Sequence, residues 1–461
     1  MGLAETARLR ERLSRTRVTS RLARIPEEPL TQPDRPGLVR AIRRWDLTAL
    51  AINSIIGAGI FGLPSEVYRR IGAYSLLAFV VCALVVTLII LCFAEVGSRF
   101  TETGGPYLYA REAFGPVVGF EVGWLIWVAR LTAFAANSNL LVDYLGFFWP
   151  GATAGAGRAL VITLVIAGFT AINLTGVRNA ANVGNFFTVA KLIPLLLFIG
   201  AGVFFLDSSR YSLAARPPFG EFSVSVLLLI YAFSGFEMAA IPGGEVRDPR
   251  RDVPRALLIA IAVVAVVYFM IQLVAIGTLP ELASSSRPLA EAGSRFMGRA
   301  GGAVISLGAL VSIAGNLFVI LLVAARLPYA MAERHELPAF LAATHRRFRT
   351  PYVSVLLTSA VALVLALTGS FVYAATISVI ARLLSYSMTA AALPVLRYRK
   401  GIPSAQFPVR GGVVVAVLTL ILSAWLLSHT SGRQARDAAI AAGFGLLLYL
   451  LPKLTRRNSP A

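Results

Sequence analysis

Two apolar stretches of the chain are interrupted where a continuous helix is hard to hold. The first reads Asn53-Ser54-Ile55-Ile56-Gly57-Ala58-Gly59-Ile60-Phe61-Gly62-Leu63-Pro64, with three glycines and a proline inside its last eight residues. Glycine and proline are the two poorest residues for a helix interior. A break there frees backbone groups for chemistry. The half-helix that starts near Ile60 aims its N-terminal amide groups at the break, where they can hold a carboxylate. The carbonyls that end the preceding half-helix can hold an ammonium or a metal cation. The second stretch, Ala232-Phe233-Ser234-Gly235-Phe236-Glu237 followed by Pro242-Gly243-Gly244, again sets glycine mid-run with a charge beside it. A free α-amino acid carries both a carboxylate and an ammonium, so one molecule matches both sets of groups.

Four charges lie inside apolar runs: Arg130, Lys191, Glu237 and Arg382. A charge at a bilayer centre costs roughly 2.5–3.5 kcal/mol on insertion scales, so such residues mark a pathway or a partner. Lys191 is the most informative, because the chain holds three lysines against forty arginines. A lysine kept there supplies a compact cation that can lose its proton, which arginine does not. The competing reading is snorkelling, since Lys191 sits about two turns inside its run. Arg130 is too deep to snorkel; it either neutralises an acidic residue such as Glu237 or faces a polar cavity. Glu237 is a pH-sensitive gate or simply the partner of Arg130. Arg382 reads as a structural counter-charge. Glu95, ahead of Arg99, Glu102 and Arg111, reads as part of an interfacial ion-pair network.

These residues need membrane-spanning helices to position them. The chain of 461 residues is 57% hydrophobic, 14% charged, and has a mean hydropathy of +0.73. A soluble domain carries about 25% charge. Apolar runs of the roughly 20 residues that a helical crossing needs recur about twelve times. The first covers about Leu47 to Arg69, the third Val117 to Phe148, the fifth Val183 to Leu206, the sixth Ser223 to Gly243 and the tenth Val372 to Leu393. The predicted organisation is a basic tail over 1–44, a core of spans one to ten over 45–400, spans eleven and twelve over 401–453, and a tail over 454–461. The net charge of +20 is carried by tails and alternate loops, among them Arg247, Arg250, Arg346, Arg397 and Lys453. That is the positive-inside pattern of a plasma-membrane protein with both termini cytoplasmic, and it excludes nucleic acid as the partner. The basic tail is expected to lie against lipid headgroups. Cys82 and Cys92 share one apolar run and read as packing residues; the three histidines show no metal-ligand spacing. No cofactor, metal or catalytic constellation is implied, so an enzyme is not expected.

The two breaks fall at the start of spans one to five and of spans six to ten. Glycine-interrupted segments in corresponding halves are the strongest sequence pointer to a secondary transporter site. A small-residue packing face would explain the glycines alone, but not Pro64 or the second break.

Several motifs resemble the amino acid–polyamine–organocation superfamily over about spans one to ten. They are Ile56-Gly57-Ala58-Gly59-Ile60-Phe61, Thr103-Gly104-Gly105-Pro106-Tyr107-Leu108-Tyr109, Phe233-Ser234-Gly235-Phe236-Glu237, the loop from Gly244-Glu245-Val246-Arg247 to Arg255, and Arg326-Leu327-Pro328-Tyr329 with Leu337-Pro338. The resemblance implies an all-α integral membrane fold of two inverted five-helix repeats, about 45–206 and 222–397, plus two extra helices, with helices one and six broken. It implies a carboxylate held on Gly57, Ala58 and Gly59. An amino group would lie on carbonyls near Ile55 and on the turn at Phe233, Ser234 and Gly235. Phe233 or Phe236 would be the aromatic gate. Lys191 matches a lysine that fills the sodium position in sodium-independent members, with the span-one break and a span-eight hydroxyl, Ser312, as its partners. The expected activity is sodium-independent amino-acid transport by alternating access, proton-coupled or by exchange. A polyamine or organic-cation carrier and a non-transporting amino-acid sensor are the rival readings. Sequence is silent on an accessory subunit.

Overall fold

The computed structural model describes residues 42–101, 104–175, 180–214, 216–240 and 246–457. Residues 1–41 of the expected basic tail, Thr103, the run Pro242 to Glu245 and residues 458–461 lie outside the described residues.

The described chain is helical, and its one β-type contact is an isolated bridge between Ile42 and Val246. Span one is two helices, α1 (Arg44–Ile55) and α2 (Gly59–Ile71). They are followed by α3 (Ser75–Gly97), the short α4 (Pro106–Phe114), α5 (Pro116–Leu145), α6 (Gly155–Thr175) and α7 (Ala180–Gly202). Span six is again two helices, α8 (Phe219–Phe233) and α9 (Glu237–Ala240). Then come α10 (Pro249–Thr278), α11 (Pro288–Ala324), α12 (Arg326–Glu333), α13 (Tyr352–Thr368), α14 (Phe371–Tyr398), α15 (Gly412–Ser428) and α16 (Gly432–Arg457). Local sequence sets several ends. Gly115, at φ 91, stops α4, and Pro116 at the first helical position starts α5 where its missing N–H costs nothing.

Six helical stretches are long and apolar enough to cross a bilayer: Gly59–Gly97, Pro116–Leu145, Gly155–Thr175, Pro249–Thr278, Pro288–Glu333 and Phe371–Tyr398. Lys191–Phe205, α8 and α13 are shorter apolar helices, and α15 with α16 forms a pair bent by 118°. By length alone the described residues therefore give six or seven crossings rather than twelve. Two of the missing crossings are segments that are themselves short. Span six is cut at Ser234, and the 17 residues of α13 rise only about 26 Å against a hydrocarbon core of about 30 Å.

α5 is the central post. Its apolar window is 78% buried, against 22% for α6, which lies at the periphery. α14, α11, α13 and α16 all pack on α5. The two broken spans cross in opposite senses: α2 packs on α8, while α1 packs on α9 and α10. Outward faces carry exposed Leu84, Leu164, Leu196, Val364 and Leu447. Such an apolar belt is stable against lipid and not against water.

Candidate functional site

At the span-one break, Ile56 leaves helical geometry (φ −70, ψ 93), and α2 restarts at Gly59. Among the described residues, the N–H groups of Gly57, Ala58 and Gly59 donate to no backbone carbonyl. The Gly57 N–H meets the Tyr268 hydroxyl instead, which leaves those of Ala58 and Gly59 to receive an anion. The carbonyls on the other side of the break are occupied. Lys191, on α7 and 3% exposed, donates from Nζ to the Asn53 and Ile56 carbonyls, both at 2.9 Å. The Tyr268 hydroxyl of α10 lies 3.1 Å from Ile55 O and 3.2 Å from Ala232 O, so one phenol bridges the carbonyl ends of α1 and α8.

The span-six break is held against span one by backbone contact. Gly235 sits at φ 111, the left-handed region that favours glycine, and a Cβ there would fall 2.2 Å from Ser54 O. Gly59 is equally close: its Cβ would lie 2.6 Å from Ala232 Cα. Gly57 faces a side chain instead, with Asn316 Nδ2 at 2.3 Å from its notional Cβ. Asn316, on α11, accepts from Asn137 of α5 at 3.4 Å, and Asn137 accepts from Tyr231 of α8 at 2.5 Å. A polar strip from three helices therefore lines the break. Gly57, Ala58, Ser234 and Gly235 are all buried, while Asn53 and Ser54 beside them are partly exposed.

Below this strip lies the charge cluster. Glu237 opens α9, and its Oε2 accepts from the Gly235 N–H at 2.9 Å and the Tyr386 hydroxyl at 2.8 Å. Its Oε1 is bound by Arg382 of α14. Arg130 of α5 is 3% exposed, and its Nη2 rests 2.7 Å from the Met238 sulfur.

Helix-end amides, capped carbonyls and buried charge thus meet in the middle of a helical bundle. A family model described as amino acid permease matches residues 42–448. The chain belongs to the amino acid permease family. It is a multi-pass membrane transporter and not an enzyme. An uncharacterised transporter of Mycobacterium tuberculosis is 30% identical over 91% of this chain and 93% of its own. The methylthioribose transporter of Bacillus subtilis is 28% identical over 94% and 98%, and the serine/threonine exchanger SteT of the same organism 29% over 86% and 93%.

In this permease, Lys191 lies against the span-one break and does not snorkel. Ser312 is fully buried, but no hydrogen bond joins it to Lys191, and its hydroxyl has no partner among the described residues. Ile55 O, expected to face an amino group, already accepts from Tyr268 and has only its second lone pair to offer. The expected Arg130–Glu237 pair is replaced by Arg382–Glu237. Arg382, Tyr386 and the Gly235 amide between them contact both carboxylate oxygens, and Arg130 rests on Met238 instead.

The two candidate gate rings are both in packed positions. Phe233 meets Phe79 and Tyr268 edge-on, and Phe236 packs against Phe93 and Tyr386; both rings are fully buried. Tyr231 is the aromatic that turns toward Asn137. Two residues of helix rotate a side chain by about 200°, so Tyr231 and Phe233 occupy opposite faces of α8.

Sequence reasoning passed over Tyr268, Asn137, Asn316 and Tyr231. The available signal was weak: single polar residues in apolar runs, where an unsatisfied group is costly and a partner is therefore expected. Glu95 does form an ion network, but with Arg397 at 2.6 Å and Arg99 at 3.3 Å; Arg111 pairs instead with Glu336 at 2.8 Å.

Proposed function

We propose that this permease carries an amino acid across the cytoplasmic membrane without sodium, by alternating access, as a proton-coupled carrier or an exchanger. Both termini are cytoplasmic in this reading, as the distribution of arginine between loops favours. The observation that carries it is Lys191: its ammonium takes the two carbonyls at the end of α1 where a metal cation would otherwise be held. The amides of Gly57, Ala58 and Gly59, none of them bound to a backbone carbonyl among the described residues, support a substrate carboxylate at the same break. The substrate's ammonium is assigned to the turn at Ser234 and Gly235 and to the free lone pair of Ile55 O. Burial of both breaks supports alternating access, since a substrate enters or leaves only if helices move. The serine/threonine exchanger among its relatives supports an amino-acid substrate.

The test is uptake of a labelled amino-acid panel into proteoliposomes, with and without sodium and with and without a pH gradient. Uptake in the absence of sodium is expected. Strict sodium dependence removes the role given to Lys191.

A further inference from the structure

Charge around the span-six break does not balance. Three ionic side chains meet there, all more than nine-tenths buried: Arg130 at 3%, Glu237 at 2% and Arg382 at 7% exposure. Glu237 is hydrogen-bonded by Arg382, Tyr386 and the Gly235 N–H, and it acts on Arg130 only through space. Arg130 has no carboxylate within ion-pair distance among the described residues. Its nearest polar contact is the Met238 thioether, a weak acceptor, and its Nε has no partner. The amide end of α2 and the ammonium of Lys191 add positive character on the other side of the break.

A buried cation without a counter-ion costs several kcal/mol. In a membrane core such a residue marks the place where an anion arrives. The position of Arg130 says which part of a ligand it would meet. Arg130 and Asn137 are seven residues apart on α5, close to two turns, so they share a face and lie about 10 Å apart along the axis. Asn137 leads through Asn316 to Gly57, where the α-carboxylate is assigned. Arg130 therefore lies on the α5 face that carries Asn137, about two turns from the residue that leads to the span-one break. A guanidinium there has the fork to grip a second carboxylate.

We propose that the substrate of this permease is an acidic amino acid, of the glutamate or aspartate class, whose side-chain carboxylate is paired by Arg130. This rests on the assignment of the breaks as an amino-acid site.

The experiment uses the purified full chain in proteoliposomes. Uptake of labelled L-glutamate, L-aspartate, L-glutamine, L-asparagine and L-arginine is measured for wild type, Arg130→Met and Arg130→Lys, each checked for a sharp thermal melt. The acids are expected to enter at least tenfold faster than their amides, and Arg130→Met to lower the glutamate-to-glutamine uptake ratio at least tenfold. Amides or arginine entering wild type as fast as the acids would overturn the inference and leave amino-acid transport standing. An unchanged ratio in Arg130→Met would overturn it too. If Arg130→Met fails to melt cooperatively, Arg130→Lys carries the test: at least a threefold rise in half-saturation for glutamate supports the pairing, and no rise overturns it. No uptake of any of the five by wild type would refute the proposed function itself, and this inference with it.

Discussion

Lys191 owes its position to what a lysine can do that the forty arginines cannot. Its compact ammonium fits between two carbonyls 2.9 Å away on each side, where a planar guanidinium would need a wider opening. Replacing it by alanine leaves the Asn53 and Ile56 carbonyls buried without a donor, a penalty of about 1–3 kcal/mol for an unsatisfied group. Lys191→Ala is expected to melt at a lower temperature in detergent and to lose at least tenfold in proteoliposome uptake; unchanged uptake at every pH would remove its special place. A second prediction separates the two arginines. Breaking a buried ion pair costs about 3–5 kcal/mol because the remaining charge is stranded. Glu237→Arg with Arg382→Glu should therefore recover more uptake than either single change, whereas Glu237→Arg with Arg130→Glu should not. Equal rescue by both exchanges would show that Glu237 does not distinguish its neighbours.

Between residues and the whole lies the contact of two broken spans, and it runs through backbone. Gly235 meets the Ser54 carbonyl, Gly59 meets Ala232 Cα, and Gly57 meets only the end of the Asn316 side chain. A methyl group at each position should therefore cost different amounts. Gly235→Ala and Gly59→Ala push on atoms that cannot move aside, and Gly235→Ala is also strained at φ 111. Gly57→Ala asks one amide to rotate. Melting temperatures should fall in the order wild type, Gly57→Ala, then the other two; Gly57→Ala as the least stable would contradict this account of the joint. The breaks themselves were legible in the sequence, because glycine and proline act on the backbone locally. So was Lys191, because a charge in an apolar run is conspicuous. The partners were not. Which arginine meets Glu237 depends on how α14 packs against α9, and which aromatic faces α5 depends on the rotation of α8. Tyr268 is one tyrosine in an apolar run, and only the approach of α1 and α8 makes its hydroxyl a bridge between them.

At the scale of the whole molecule, the face proposed as cytoplasmic is tied at several points. Ile42, ahead of α1, pairs with Val246 beyond α9, and Arg247 N donates to Ile42 O at 3.1 Å. Nearby loops are bound by Glu95 with Arg397 and by Glu336 with Arg111. A route to this face must part the Ile42–Val246 contact. With Ile42→Cys and Val246→Cys, oxidation is expected to lower uptake at least fivefold and reductant to restore it; full cross-linking with no loss would show that these ends stay together throughout the cycle. Native Cys82 and Cys92 are both buried and do not compete for the reagent. The tethered ammonium of Lys191 has one further consequence, in electrical terms. A sodium ion that crosses with its substrate brings a charge through the membrane voltage; a lysine fixed to α7 brings none. A zwitterion crossing alone or by exchange for another would then carry no current. An acidic amino acid would carry one negative charge inward against a negative interior, at about 2.3 kcal/mol per 100 mV. A permease built this way concentrates such a substrate only if protons accompany it or another anion leaves in its place; both routes are electroneutral at one-to-one, and dependence on an imposed pH gradient against dependence on an anion loaded inside the vesicle distinguishes the two.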